Sequence, residues 1–201
     1  MTKKRKLVIA TTNSGKVKEI EELLSDLSVE LLSLKDYNNS PEVVEDKDTF
    51  AGNALKKARE ICDFSGEITL ADDSGLEVDY LDKAPGVYSA RFAGPGADDD
   101  ANNRLLLQKL KGLSKEKRTA AFRCAMAIVT PAGEEKIIEE SCNGYITEAE
   151  RGKDGFGYDP LFFYKPLEQT FGEMLPEDKN KISHRGKALK KIKPEIKRLL
   201  T

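Results

Sequence analysis

At 201 residues the chain is long enough for one domain, or two closely packed lobes, with a sizeable apolar core. Apolar residues make up 39% and charged residues 34%, and the net charge is only -2, which excludes a disordered chain and a global field for nucleic acid or anionic membranes. Three widely spaced cysteines, Cys62, Cys124 and Cys142, and a lone His184 exclude a conventional zinc site; with no signal peptide or membrane span visible, a reducing cytoplasm is expected.

In chain order, Leu7 to Ala10 is a short apolar run of the kind that forms a buried strand. Thr11-Thr12-Asn13-Ser14-Gly15 breaks it, after which Val17, Ile20, Leu23, Leu24 and Leu27 recur at helical spacing. Val29 to Leu34 is a second strand candidate. Thr49 can cap a second helix with Phe50, Ala54, Ala58 and Ile61 on its buried face. A strand from Ile68 to Ala71 then stops at the turn formers Asp72 to Gly75, and Glu77 to Leu81 is strand-like. Asp82 to Asp100 is long and irregular, with turn signals at Pro85-Gly86 and Gly94-Pro95-Gly96, as in a functional loop. A third helix near Ala101 to Leu110 carries Leu105, Leu106 and Leu110 on one side. Phe122, Cys124, Met126 and Ile128 alternate within Thr119 to Thr130, and Pro131-Ala132-Gly133 turns that strand into Lys136 to Cys142 as an antiparallel hairpin. The basic stretch from Lys179 to about Leu200 is helical with a break expected at Pro194, and like Lys3 to Lys6 it reads as a solvated charge run. Alternating strands and helices plus one hairpin make a mixed-sheet α/β protein.

Four pieces of the chain carry chemistry. Asp72 and Asp73, with Ser74, follow a strand directly; they can hold a hard cation, orient a water, or simply form a solvated turn. Thr11 to Lys16 lies between a strand and a helix and offers amides, hydroxyls and a lysine to a phosphate chain. It is not a P-loop, because Ala10 and Val17 stand where that motif has glycine and Ser or Thr. Gly152 to Pro160 sets glycines around Phe156, Tyr158 and Asp159: either ring could stack on a base and Asp159 could accept base N–H donors. The same loop could equally be a Gly-rich hairpin with buried aromatics. Ser183-His184-Arg185-Gly186 follows Lys179 and Lys181, and could be catalytic or merely structural.

In this order the blocks closely resemble the inosine triphosphate pyrophosphatase family from Leu7 to about Leu200. The carriers are Ala10 to Lys16, Thr49 to Ala54, Ala71 to Leu76, Pro85 to Arg91, Gly155 to Pro160 and Ile182 to Gly186. The resemblance implies one domain over 1–201, with a long mixed β-sheet flanked by helices and two lobes around a central cleft. It implies Mg²⁺-dependent cleavage of a purine nucleoside triphosphate (ITP, dITP or XTP) to the monophosphate and pyrophosphate, typically by a homodimer. It assigns the phosphates to Thr11, Thr12, Asn13, Ser14, Gly15 and Lys16, with Lys179 also reaching phosphate. It makes Asp73 the general base and a metal ligand, with Glu45 as the second ligand and Glu42 the alternative. Ser74 touches substrate, Phe156, Gly157, Tyr158 and Asp159 hold base and sugar, and His184 and Arg185 close over the base. The chain departs from the family where Thr12 stands for a more frequent glycine and Lys47 for a small residue.

Those residues suit the reaction. A triphosphate brings close to four negative charges, which Lys16, Lys179, Arg185 and a divalent cation can offset. With an unperturbed pKa of about 3.9, an aspartate such as Asp73 is ionised at neutral pH and can take a proton from a water. Deamination of adenine turns a 6-amino donor into a 6-oxo acceptor, so a donor such as Arg185 there favours hypoxanthine and xanthine. Adenine would leave buried groups unpaired, a mismatch worth about 10⁴-fold. A nucleotide-binding regulator without turnover, or a pyrophosphatase for another modified nucleotide, are the competing readings.

Overall fold

The computed structural model describes residues 5–200; Lys3 and Lys4 of the N-terminal basic cluster lie outside the described residues. The strands are β1 Lys6–Ile9, β2 Glu30–Ser33, β3 Ile68–Val78, β4 Thr119–Val129, β5 Glu135–Ile146, β6 Phe162–Tyr164 and β7 Gln169–Thr170. The helices are α1 Ser14–Leu24, α2 Phe50–Ser65, α3 Asp99–Lys109, α4 Pro176–Ile182 and α5 His184–Leu200. The strands form a mixed sheet in the order β2-β1-β3-β4-β5-β6-β7. β1 pairs in parallel with β2 and β3, whereas β6 pairs antiparallel with β5 and β7. Parallel neighbours need a crossover, and α1 and α2 supply them.

Contacts divide the chain into two compact units. The first comprises 1–73, 124–140 and 186–201. Its core sets Leu7, Ile9 and Leu70 of the parallel strands against Ile20 and Leu24 of α1 and Leu189, Ile192 and Ile196 of α5. The second comprises 74–123 and 141–185, with a core of Leu76, Leu106, Leu110, Phe122, Tyr158, Phe162 and Phe171. There Phe122 lies 4.6 Å from Phe162 and 5.7 Å from Phe171, centroid to centroid, so three rings fill one volume.

Three expectations are corrected. Asp72 to Gly75 is not a turn: β3 runs through it without a break from Ile68 to Val78. Strand propensity disfavours Asp and Gly, but pairing of both carboxylates with lysines lets the strand continue. The break in the C-terminal helical segment falls at Ser183 (ψ 159), and α5 passes through Pro194. Burial of Ala188, Leu189, Ile192 and Ile196 on one face outweighs the roughly 3 kcal/mol that an internal proline costs. On α3 the buried face is Asn102, Asn103 and Leu106, with Leu110 following it, whereas Leu105 is only half-buried. β6 and β7 are too short for periodicity to announce them.

Candidate active site

In the first unit, β3 presents Asp72 and Asp73 in mid-strand, 1% and 5% exposed. Two lysines make that burial tolerable. Lys16, from the first turn of α1, places Nζ 3.1 Å from Asp72 Oδ2. Lys57, from the buried face of α2, donates to the Asp72 carbonyl at 2.7 Å and to Glu45 Oε1, and lies 3.9 Å from Asp73 Oδ1. Asn53, one helical turn before Lys57, donates from Nδ2 to Asp73 Oδ2 at 3.0 Å. The same Asn53 accepts from the Lys47 amide at 2.9 Å and donates to its carbonyl at 3.3 Å, which pins the segment that carries Glu45. Glu42 is exposed, and the structure sets Glu45 rather than Glu42 beside Lys57.

Charge explains how these groups titrate. Burial raises the Asp73 pKa; Lys57 and Lys16 oppose the rise, and Glu45 adds to it. Burial alone would lower the Lys57 pKa, but Asp72, Asp73 and Glu45 together leave it raised. Three acids surround Lys57, which holds its proton more tightly, while burial still dominates at Asp73.

Neither Asn53 nor Lys57 was among the residues expected at the site. Both lie at helical spacing between Phe50 and Ile61, on the face that α2 buries. Polar side chains at apolar-face positions were the available signal, since a buried Asn or Lys needs a partner.

The turn before α1 is open to solvent. Asn13 caps the helix by accepting from the Lys16 amide at 3.0 Å, and Thr11 Oγ1 accepts from the Asn13 amide at 3.2 Å. Thr12 and Ser14 are exposed, and Gly15 is half-buried. A helix N-terminus with exposed hydroxyls and the nearby Lys16 suits an anionic ligand.

The second unit gathers the remaining expected residues. Lys179 on α4 is buried and donates from Nζ to Asp159 Oδ2 at 2.6 Å, while standing 4.9 Å from the Phe156 ring centroid. Arg185, at the start of α5, donates to Ser74 Oγ at 2.7 Å and holds its guanidinium carbon 5.6 Å from the same ring. His184 stacks on Phe122, with centroids 4.7 Å apart. Of the two aromatic candidates for stacking, Tyr158 is committed to the core: its ring is buried and its hydroxyl donates to the Ser89 carbonyl at 2.8 Å. The half-exposed Phe156 is therefore the ring available to a base.

Asp159 also fastens its own loop, since Oδ2 accepts from the Phe156 amide at 2.9 Å. Gly155 makes this possible. Its φ is +81°, and a Cβ there would fall 2.1 Å from Asp159 Oδ2. Gly155→Ala should cost about 1–3 kcal/mol, measured by thermal melting, and raise KM for a nucleotide through displacement of Phe156. An unchanged melting temperature and KM would show that the loop does not depend on this approach.

Glu45 and Asp73 both face the Lys57 ammonium, so their oxygens already converge on one cationic charge. An all-carboxylate pair suits a hard cation such as Mg²⁺, which takes one or two carboxylates and completes its shell with water and substrate phosphates. Among the described residues no group of three or more His, Cys, Asp or Glu side chains forms a self-sufficient metal site.

A model of the Ham1 family matches residues 7–195. The chain belongs to the Ham1 family. Its relatives include the dITP/XTP pyrophosphatase of Desulforamulus reducens, 54% identical over 194 residues, with 96% of each chain covered. The protein of the same name from Bacillus subtilis is 46% identical over 188 residues, covering 94% of this chain and 95% of that one. Among solved structures, a HAM1 protein from Coxiella burnetii superposes with a TM-score of 0.87 at 36% identity, covering 96% of this chain and 99% of that one. A nucleoside-triphosphatase, or dITP/XTP pyrophosphatase, from Mycobacterium abscessus gives 0.76 at 44% identity, covering 93% and 98%. The mixed seven-stranded sheet with flanking helices is thus the Ham1 fold.

Proposed function

We propose that this Ham1 protein hydrolyses deaminated purine nucleoside triphosphates, dITP, XTP and ITP, to the monophosphate and pyrophosphate. The observation that carries the reading is Asp73: a buried carboxylate fixed by Asn53 and facing Lys57, on a chain half identical to proteins named for this activity. In the first unit the amides at the head of α1, the Thr11 and Ser14 hydroxyls and Lys16 bind phosphate oxygens. Asp73 accepts the proton of the attacking water. Lys57 and Lys16 stabilise charge on the phosphoryl oxygens as the bond to the leaving pyrophosphate breaks. Mg²⁺, held by Asp73 and Glu45, would supply further positive charge to those oxygens and to the water. In the second unit Phe156 stacks on the base and Arg185 donates toward a 6-oxo group, with Ser74 bonded to the same guanidinium.

The same reading places the protein in the cytoplasm as a homodimer. Among the described residues no helix is long and apolar enough to cross a membrane, and Tyr88, in the Asp82 to Asp100 segment, is an exposed ring that a second copy would cover. A nucleotide panel with separate pyrophosphate and orthophosphate readouts tests the activity. Pyrophosphate should appear from dITP and XTP far faster than from ATP or GTP, and only with a divalent cation. Orthophosphate release, equal rates on ATP, or tight binding without turnover would each overturn it.

A further inference from the structure

The buried face of α3 bears two asparagines, which a helix packed on an apolar core does not need. Asn102 is spent on loops: it accepts from the Ala93 amide at 2.8 Å and donates to the Ala90 carbonyl at 3.2 Å. Asn103 donates from Nδ2 to the Gly157 carbonyl at 3.1 Å. Its Oδ1 is buried and has no hydrogen-bond partner. A buried acceptor left unmatched is costly, and an apolar residue would avoid that cost. What the chain keeps in return is the bond to Gly157. From the first turn of the same helix, Asp99 Oδ2 accepts from the Gly157 amide at 2.7 Å. Both polar groups of one peptide-chain residue are therefore held by side chains one helical turn apart.

Gly157 sits between Phe156 and Tyr158, two residues before Asp159. Tyr158 is anchored to the Ser89 carbonyl, and the Ser89 hydroxyl accepts from the Leu76 amide at 2.8 Å and donates to the Gly86 carbonyl at 2.7 Å. The loop is thus fixed by the core through Tyr158, by Asp159 at the Phe156 amide, and by α3 at both polar groups of Gly157.

We propose that Asp99 and Asn103 are positioning residues that hold Gly157, and through it the Phe156 ring, in the place where a purine base stacks. The inference rests on the nucleotide reading above. It concerns the base and not the phosphates, so the two kinds of ligand separate it from a general loss of structure.

The experiment compares wild type, Asp99→Ala, Asp99→Asn and Asn103→Ala. Calorimetry measures their affinity for inosine monophosphate and for pyrophosphate, beside dITP and dGTP kinetics. Asp99 is exposed, so its variants should fold even where the buried Asn103→Ala does not. Asp99→Ala should weaken inosine monophosphate binding and raise KM for dITP about 5- to 10-fold, with kcat and pyrophosphate affinity within about twofold of wild type. Asp99→Asn keeps an acceptor for the Gly157 amide and should restore both. Unchanged monophosphate affinity in a folded Asp99→Ala protein, or an equal loss for pyrophosphate, would overturn the inference. If the wild type binds inosine monophosphate but releases no pyrophosphate from dITP, the proposed activity fails, and the affinities alone decide the role of α3.

Discussion

Asp73→Asn should lower turnover of dITP by about 10²–10⁴-fold while leaving the fold intact. The substitution keeps shape and hydrogen bonding, because an asparagine oxygen can still accept from Asn53 Nδ2 as Asp73 Oδ2 does at 3.0 Å. What it removes is a negative charge and a proton acceptor. Burial raises the Asp73 pKa above its unfolded value, so the folded state binds that proton more tightly than the unfolded chain does. Stability from this group is therefore greatest below the unfolded carboxylate pKa and falls as pH rises toward the raised folded value. At neutral pH the ionised carboxylate is a burden on the fold. Asp73→Asn should accordingly melt no lower than wild type at neutral pH, and the gap should close in acid. Activity of the wild type should rise over the same window as Asp73 ionises. Near-wild-type turnover in the variant would move the base elsewhere, with Asp72 the first candidate. A sharp drop in its melting temperature would show that the charge serves the fold.

Lys57→Met should be damaging in two ways. Glu45, Asp73 and the Asp72 carbonyl lose their shared cation, and uncovering buried carboxylates costs about 3–5 kcal/mol. Turnover should fall about 10²–10³-fold through lost stabilisation of phosphoryl charge. The raised Lys57 pKa means that its stabilising charge is present throughout the neutral range and is lost only as pH climbs through the folded value. Lys57→Arg, which keeps the charge, should retain most of the stability. Added Mg²⁺ should raise the melting temperature of Lys57→Met by more than it raises that of wild type, because the divalent charge would take over part of the lysine's task. Equal Mg²⁺ shifts in both proteins would separate Lys57 from the proposed metal ligands.

Apolar periodicity made the parallel half of the fold legible: Leu7 to Ile9, the Ile20 and Leu24 face of α1, and the Phe50, Ala54, Ala58 and Ile61 face of α2 all pack as their spacing requires. Of the residues proposed for the site, Lys16, Glu45, Asp72 and Asp73 fall in one unit and Ser74, Phe156, Asp159, Lys179 and Arg185 in the other. What stayed hidden was polar structure inside. Asp72 and Asp73 look like a turn because nothing local says that Lys16 and Lys57 will arrive beside them. Asn53 and Lys57 stand at apolar-face positions of α2, but what they pair with is set by distant Asp72, Asp73 and Glu45. Asn102 and Asn103 likewise depend on loops that sequence spacing does not place beside them. Ser183 carries no helix-stop signal as strong as Pro194, yet the apolar face of α5 overrides the proline.

Asn53 is fully buried and satisfies three partners with one planar amide: the two backbone groups of Lys47 and the Asp73 carboxylate. This has a genetic consequence. A single base change in an asparagine codon gives Asp, His, Ser, Thr, Tyr, Ile or Lys, and none of these offers a carbonyl acceptor and two N–H donors on one short planar group. Glutamine does, but it adds a methylene at a fully buried position, where extra volume costs about 1–3 kcal/mol. Position 53 therefore has no near mutational neighbour that preserves the site, and in a random library it should tolerate change as poorly as Asp73.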